Sequence, residues 1–146
     1  MAVLQTRGAQ TLAHALLRVT LGLNMLMHGL VRIGAGPSHF AEKLVKEFGA
    51  TALPGGLVRV FGLALPFGEA LVGLLVLLGL WLRWSLVAGA LLIMVLLFGT
   101  SLRAQWDVVS QQMIYAVVYF LLLAFLEEWD HYSVDGWRAG RIRRSP

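Results

Sequence analysis

Hydrophobic positions in this chain run in long blocks instead of alternating with polar ones. Four stretches, residues 11–33, 57–80, 84–102 and 108–126, are apolar almost throughout. Each falls within the roughly 17–25 residues that a helix needs to cross a bilayer. Gly34-Ala35-Gly36-Pro37 breaks the first block, and Leu53-Pro54-Gly55-Gly56 precedes the second. Between these breaks the pattern changes. Phe40, Leu44, Val45 and Phe48 fall near one helical face, while Glu42, Lys43, Lys46 and Glu47 take the other. Pro37 or Ser38 can start this helix and Gly49 can end it. It is too short to span, which predicts an amphipathic helix at the interface or capping the bundle. The predicted fold is therefore all-α: one integral-membrane domain, a transmembrane four-helix bundle with a short amphipathic helix between spans one and two. A polar tail follows over residues 129–146.

Composition supports the membrane reading. Hydrophobic residues make up 58% and charged residues 14%, against about 45–50% and about 25% in soluble domains. So few charges would not cover a water-facing surface. The net charge of +4 does not point to nucleic acid, because the arginines cluster at segment ends and in the tail, where they set orientation or meet anionic lipid. Arg7, Arg83, Arg138, Arg141, Arg143 and Arg144 favour the cytoplasm for both termini, against Arg32, Lys43, Lys46, Arg59 and Arg103 on the opposite side. The chain has no cysteine, which removes dithiol, iron–sulfur and thiolate-zinc chemistry. Arg18 interrupts the first apolar block and argues against a cleaved signal peptide.

Candidate chemistry follows from the polar residues inside the blocks. Glu69 lies near the middle of the second, where a carboxylate costs about 2.5–3.5 kcal/mol on insertion scales and needs a partner or a proton. On a helical projection His14, Arg18, Met25, His28, Gly29 and Arg32 share one sector of the first span, flanked by Asn24. Gly62, Pro66, Glu69, Gly73, Val76 and Leu80 form a stripe on the second. Gln112, Tyr115 and Tyr119 share a face of the fourth. Polar groups in a membrane helix face the bundle interior, so these three stripes should converge, with the third span mainly as lipid-facing packing. Centring the first span near residue 23 puts Arg18 and His28 each about 7 Å from its midpoint. Arg18 is then the expected partner of Glu69, with His28 competing and Arg59 sharing an outer layer with Arg32. Pro66 frees a carbonyl one turn earlier and would kink the helix, opening a small polar cavity before Glu69. No metal or haem site is expected: His14 and His28 are about 21 Å apart along one helix, and no span carries a glutamate-x-x-histidine pair.

These residues also carry a resemblance. Arg18-x-x-x-Gly22, His28-Gly29-x-x-Arg32, Gly62 to Pro66, Glu69, Gly73 and Leu78-Gly79-Leu80-x-x-Arg83 resemble the DoxX/DoxD family of small bacterial and archaeal membrane proteins. The resemblance covers the first two spans well and the last two by hydropathy and length. It departs at Arg32, where the family pattern has lysine. It implies a four-helix membrane bundle in the cytoplasmic (inner) membrane and a redox-associated role, since some members look like quinone-linked subunits of thiosulfate-oxidising enzymes.

Three readings result. In the first, the protein is the membrane subunit of a quinone-linked redox system. Glu69, Arg18 and His28 form its reactive centre, and Asn24, Arg32, Arg59, Pro66, Gln112, Tyr115 and Tyr119 line a ligand cavity. Electrons would come from a bound cofactor or a redox partner protein. In the second, it is a non-catalytic anchor or assembly subunit that contacts a partner through its interfacial helix and arginine tail. In the third, it conducts a small molecule or protons. Partners are the lipid bilayer, a redox partner protein or a second copy of the chain.

Overall fold

The computed structural model describes residues 2–140, with side chains from Gly8 onward. Arg7, Arg141, Arg143 and Arg144 of the sequence argument lie outside the described side chains. The described chain is helical: α1 (Ala2–Gly34), α2 (Pro37–Glu47), α3 (Gly55–Leu78), α4 (Leu82–Leu102), α5 (Trp106–Ala124), α6 (Leu126–Trp129) and α7 (Val134–Arg138). Four of these helices, α1 from Gly8 together with α3, α4 and α5, are long and apolar enough to cross a membrane. They pack as a bundle that turns Leu30, Leu71, Phe98, Ile114 and Phe120 outward, as contact with lipid tails requires. The protein is a multi-pass membrane protein with the predicted four-helix architecture.

Close backbone approach fixes the register of α1 against α3. A Cβ placed on Gly22 would lie 2.5 Å from the Leu77 amide nitrogen, one on Gly29 would lie 2.7 Å from Ala70 Cβ, and one on Gly73 would lie 2.7 Å from Leu26 Cα. Only glycine permits these approaches, the small-residue packing that membrane helices use where no hydrophobic drive exists between them. Residues 22, 26 and 29 thus sit level with 77, 73 and 70. Continuing this ladder brings Glu69 level with Leu30, and Arg18 level with Trp81 at the far end of α3.

α1 is therefore displaced along the bundle. Its last turn ends level with Leu65, and the first ten residues of α3 extend past it. α2 occupies that vacated place. Ala41 is fully buried, and a Cβ on Gly62 would lie 2.9 Å from Ala41 Cα. Of the two placements expected for the amphipathic helix, it caps the bundle against α3. Its charged face is tied down as well: Arg103, in the α4–α5 turn, donates to Glu47 at 2.6 Å.

The segment after residue 126 is more structured than a polar tail. Asp130 and Ser133 are buried. Ser133 Oγ donates to Asp130 Oδ2 at 2.6 Å and accepts from the Gly136 amide at 2.8 Å, capping α7. Asp135 Oδ2 accepts from the Leu82 amide at 2.7 Å, placing a carboxylate at the start of α4 where the helix dipole favours it. Short polar side chains with backbone to cap turn this sequence back onto the α3–α4 turn.

Candidate functional site

Glu69 belongs to the buried stripe of α3, with Val58, Gly62, Leu65, Pro66, Val72, Gly73 and Val76. Its side chain is 2% exposed, and both carboxylate oxygens accept from Arg32 Nη1. The expected Arg18–Glu69 pair does not form. Centring α1 on its hydropathy misplaced it by about seven residues, or about 10 Å, because glycine contacts and not hydropathy set the register. Arg32 is at the right level and stacks its guanidinium over Phe40 of α2 at 4.8 Å, a cation–π contact that holds the long side chain.

Arg18 does different work. Nη1 donates to Val76 O at 2.8 Å and Leu77 O at 2.6 Å, and Nη2 donates to Tyr132 O at 2.7 Å. The first two are among the last carbonyls of α3, which lack the usual amide four residues on, and Val76 O also accepts from the C-cap amide of Gly79 at 3.1 Å. His14 Nε2 lies 3.1 Å from Leu122 O near the end of α5, and a carbonyl partner makes this nitrogen the donor. The polar sector of α1 therefore divides. Its first half caps the C-terminal ends of α3 and α5, where cations are also favoured by the dipole. Its second half faces Glu69.

That second half lines a cavity of about 150 Å³ with Asn24, His28, Arg32, Glu69, Gln111, Gln112 and Tyr115 as polar walls. Tyr115 Oη donates to Asn24 Oδ1 at 3.0 Å, so this bond uses the Asn24 oxygen and not its two N–H donors. Gln112 Oε1 accepts from Thr100 Oγ1 at 2.7 Å, a hydroxyl whose single proton is shared with Leu96 O and Leu97 O at 3.0 and 3.1 Å. His28 Nδ1 lies 2.9 Å from Asn24 O. A carbonyl can only accept, so Nδ1 carries the proton, and Nε2 of the neutral ring is an acceptor. The cavity thus sets donors and acceptors side by side.

Of the remaining expected site residues, Pro66 is buried inside an unbroken α3 and does not line the cavity. Tyr119 is 1% exposed and is seated on Gly89, where a Cβ would lie 2.5 Å from the ring. Arg59 is exposed, ten residues before Glu69, and shares no layer with Arg32. The third span is not mere lipid packing: Ile93 and Leu96 wall the cavity, and Thr100 positions Gln112.

A second chamber, of about 380 Å³, adjoins the first and shares Arg32, Leu96, Val108 and Gln112 with it. Lys43, Glu47, Arg103 and Gln105 add polar walls. Arg103 stacks over Phe48 at 5.1 Å, repeating the arrangement of Arg32, Phe40 and Glu69. Sequence reasoning placed Lys43 and Glu47 on the polar face of the amphipathic helix and Arg103 at the end of the third span, not at a site. Their only signal was a charged residue beside a phenylalanine at the end of α2, and a lone basic residue in the α4–α5 turn.

A family model for DoxX matches residues 13–106. The chain belongs to the DoxX family. The match runs from α1 through α4, one span further than the motifs alone suggested, and takes in Arg32, Glu69 and the α2 cap. In this DoxX protein, Gln111, Gln112 and Tyr115 lie beyond the matched region. A search of curated proteins finds no match, and neither does a search of solved structures.

Proposed function

We propose that this DoxX protein is the membrane subunit of a quinone-linked redox system and holds the quinone head in the cavity beside Glu69. The observation that carries the reading is the pairing of donors with acceptors there. A quinone, when bound, supplies two-electron, two-proton chemistry, so its oxygens need donors in one state and acceptors in the other. The amides of Asn24 and Gln112 donate to a carbonyl oxygen. His28 Nε2 accepts from a hydroxyl. Glu69 holds or releases a proton, and Arg32 keeps the carboxylate oriented and its charge compensated. The inner cavity alone is smaller than the roughly 300–1,000 Å³ of ordinary ligand sites, but with the adjoining chamber it reaches that range. Arg18, Arg59, Pro66 and Tyr119 take no part in holding the ligand. Electrons come from a redox partner protein.

The same reading places the protein in the cytoplasmic membrane of a bacterium or archaeon with both termini inside. Arg18 joins Arg83 and Arg138 at the end that carries the termini, which strengthens the positive-inside argument.

Mass spectrometry of small molecules that co-purify in mild detergent tests the proposal. A quinone bound to the wild type and lost from Glu69→Gln, with the melting transition retained, supports it. A protein without ligand, or one whose quinone is indifferent to Glu69→Gln, favours the anchor reading instead.

A further inference from the structure

An apolar groove of about 240 Å³ runs beside the outer chamber. Leu44, Phe48, Leu53, Leu57, Val58, Phe61, Val95, Phe98 and Gly99 line it. Its walls come from α2, the α2–α3 loop, α3 and α4. The groove and the chamber share Leu44, Phe48, Phe61, Val95 and Gly99, so they lie side by side with these five residues as their common wall. Its rim is turned to the bilayer, since Leu57 is 59% and Phe98 58% exposed. Groove, chamber and cavity thus follow one another from the lipid-facing rim, past two arginine–phenylalanine stacks, to Glu69.

We infer that the ligand reaches Glu69 sideways from the bilayer and leaves an isoprenoid tail lying in this groove. The inference rests on the quinone reading and deepens it: the substrate class is a long-tailed quinone and not a water-borne one. The competing way in is the seam between α1 and α5. The depression there is formed by Asn24, Met27, His28, Val31 and Arg32 alone. All five belong to one helix and two of them are ionisable or charged, and across the seam α5 presents the exposed Gln111, so a tail there would lie against polar side chains on both sides. The groove offers apolar walls from three helices. Gly99 sits at the junction, where an added Cβ would lie 3.1 Å from the Phe48 ring.

Lipid tails are as apolar as this groove, so seating the tail exchanges one hydrocarbon surface for another. Tail length should therefore move the tail's location more than the affinity, and the test reads location. The full chain in nanodiscs is labelled with a quinone carrying a diazirine midway along its tail, then digested and sequenced. Labelling must be competed by the untailed head to count. The expected adducts fall on residues 53–61 and 95–99, and Gly99→Leu should cut them at least five-fold. A head-only azidoquinone should still label the cavity of that variant. Competable adducts on residues 24–32 or 111–115 would overturn the groove and leave the quinone reading standing. Undiminished groove labelling in Gly99→Leu would overturn the proposed junction. No competable labelling with either probe would overturn both the groove and the quinone reading.

Discussion

Removing the Arg32 side chain should cost far more than its position on the helix suggests, and only in the presence of Glu69. Arg32 is 27% exposed and Glu69 2%. Losing one partner of a buried pair costs about 3–5 kcal/mol because the other charge is left uncompensated. Partial exposure of Arg32 already screens the pair, which lowers the expectation for Arg32→Gln to about 2–3 kcal/mol. Glu69→Gln frees an arginine that lies near a helix end and is able to reach the interface, so it should cost about 1 kcal/mol. The double variant should then recover about 1–2 kcal/mol relative to the sum of the singles, within the range that contacting pairs show. The same cycle with Arg18 and Glu69 should be additive. Arg18 is level with Trp81, twelve residues from Glu69 and so about 18 Å away, and pairs separated by more than about 10 Å add within ~0.5 kcal/mol. Reversible unfolding in bicelles by added SDS measures both cycles. Coupling between Arg18 and Glu69, with none between Arg32 and Glu69, would refute the register and the site built on it.

Further expectations follow from the same contacts. Gly73→Ala should force α1 and α3 apart and destabilise by about 1–3 kcal/mol, as overpacking does, while Gly56→Ala, with nothing within 4 Å of its Cβ position, should leave the melting temperature unchanged. Arg18→Met should uncap the end of α3 and release the segment around Tyr132. Limited proteolysis after residue 126 should then accelerate several-fold, with the energetic coupling of Arg32 to Glu69 retained. Glu47→Gln should loosen α2 from the α4–α5 turn at a cost of about 1 kcal/mol, visible as faster amide exchange in residues 37–47 and not in α3.

The spans were legible because crossing a bilayer imposes length and apolarity on each one separately. The faces were legible too: the stripes drawn on α1, α3 and α5 are largely the buried ones, with Met25, Glu69, Gly73 and Tyr119 all inside. What could not be read was the offset between helices. Hydropathy says where a helix is apolar, but α1 keeps its helical path well beyond the end of α3, and its apolar centre is not its packing centre. Gly22, Gly29 and Gly73 held the missing information, since each marks a point where the backbone of the partner helix comes close. The polar role of α4 was hidden for a different reason. Thr100 is the sole polar side chain it offers to Gln112, and one threonine near a helix end reads as a boundary.

The displacement of α1 explains why there is a site at all. Were α1 level with α3 along its whole length, its apolar side chains would fill the bundle as far as Gly55, and Glu69 would have only packed neighbours. Ending α1 level with Leu65 leaves a gap some ten residues long, or about 15 Å. α2 closes that gap incompletely, because eleven residues with one charged face cannot reproduce an apolar span. The remainder is the chamber, the groove and the cavity, all under α2 or beside the last turns of α1. Glu69 and Arg32 stand where the substitution of α2 for α1 begins. A carboxylate is tolerated there for the same reason that a ligand has room: the wall facing it is not continuous apolar helix but the charged end of α1.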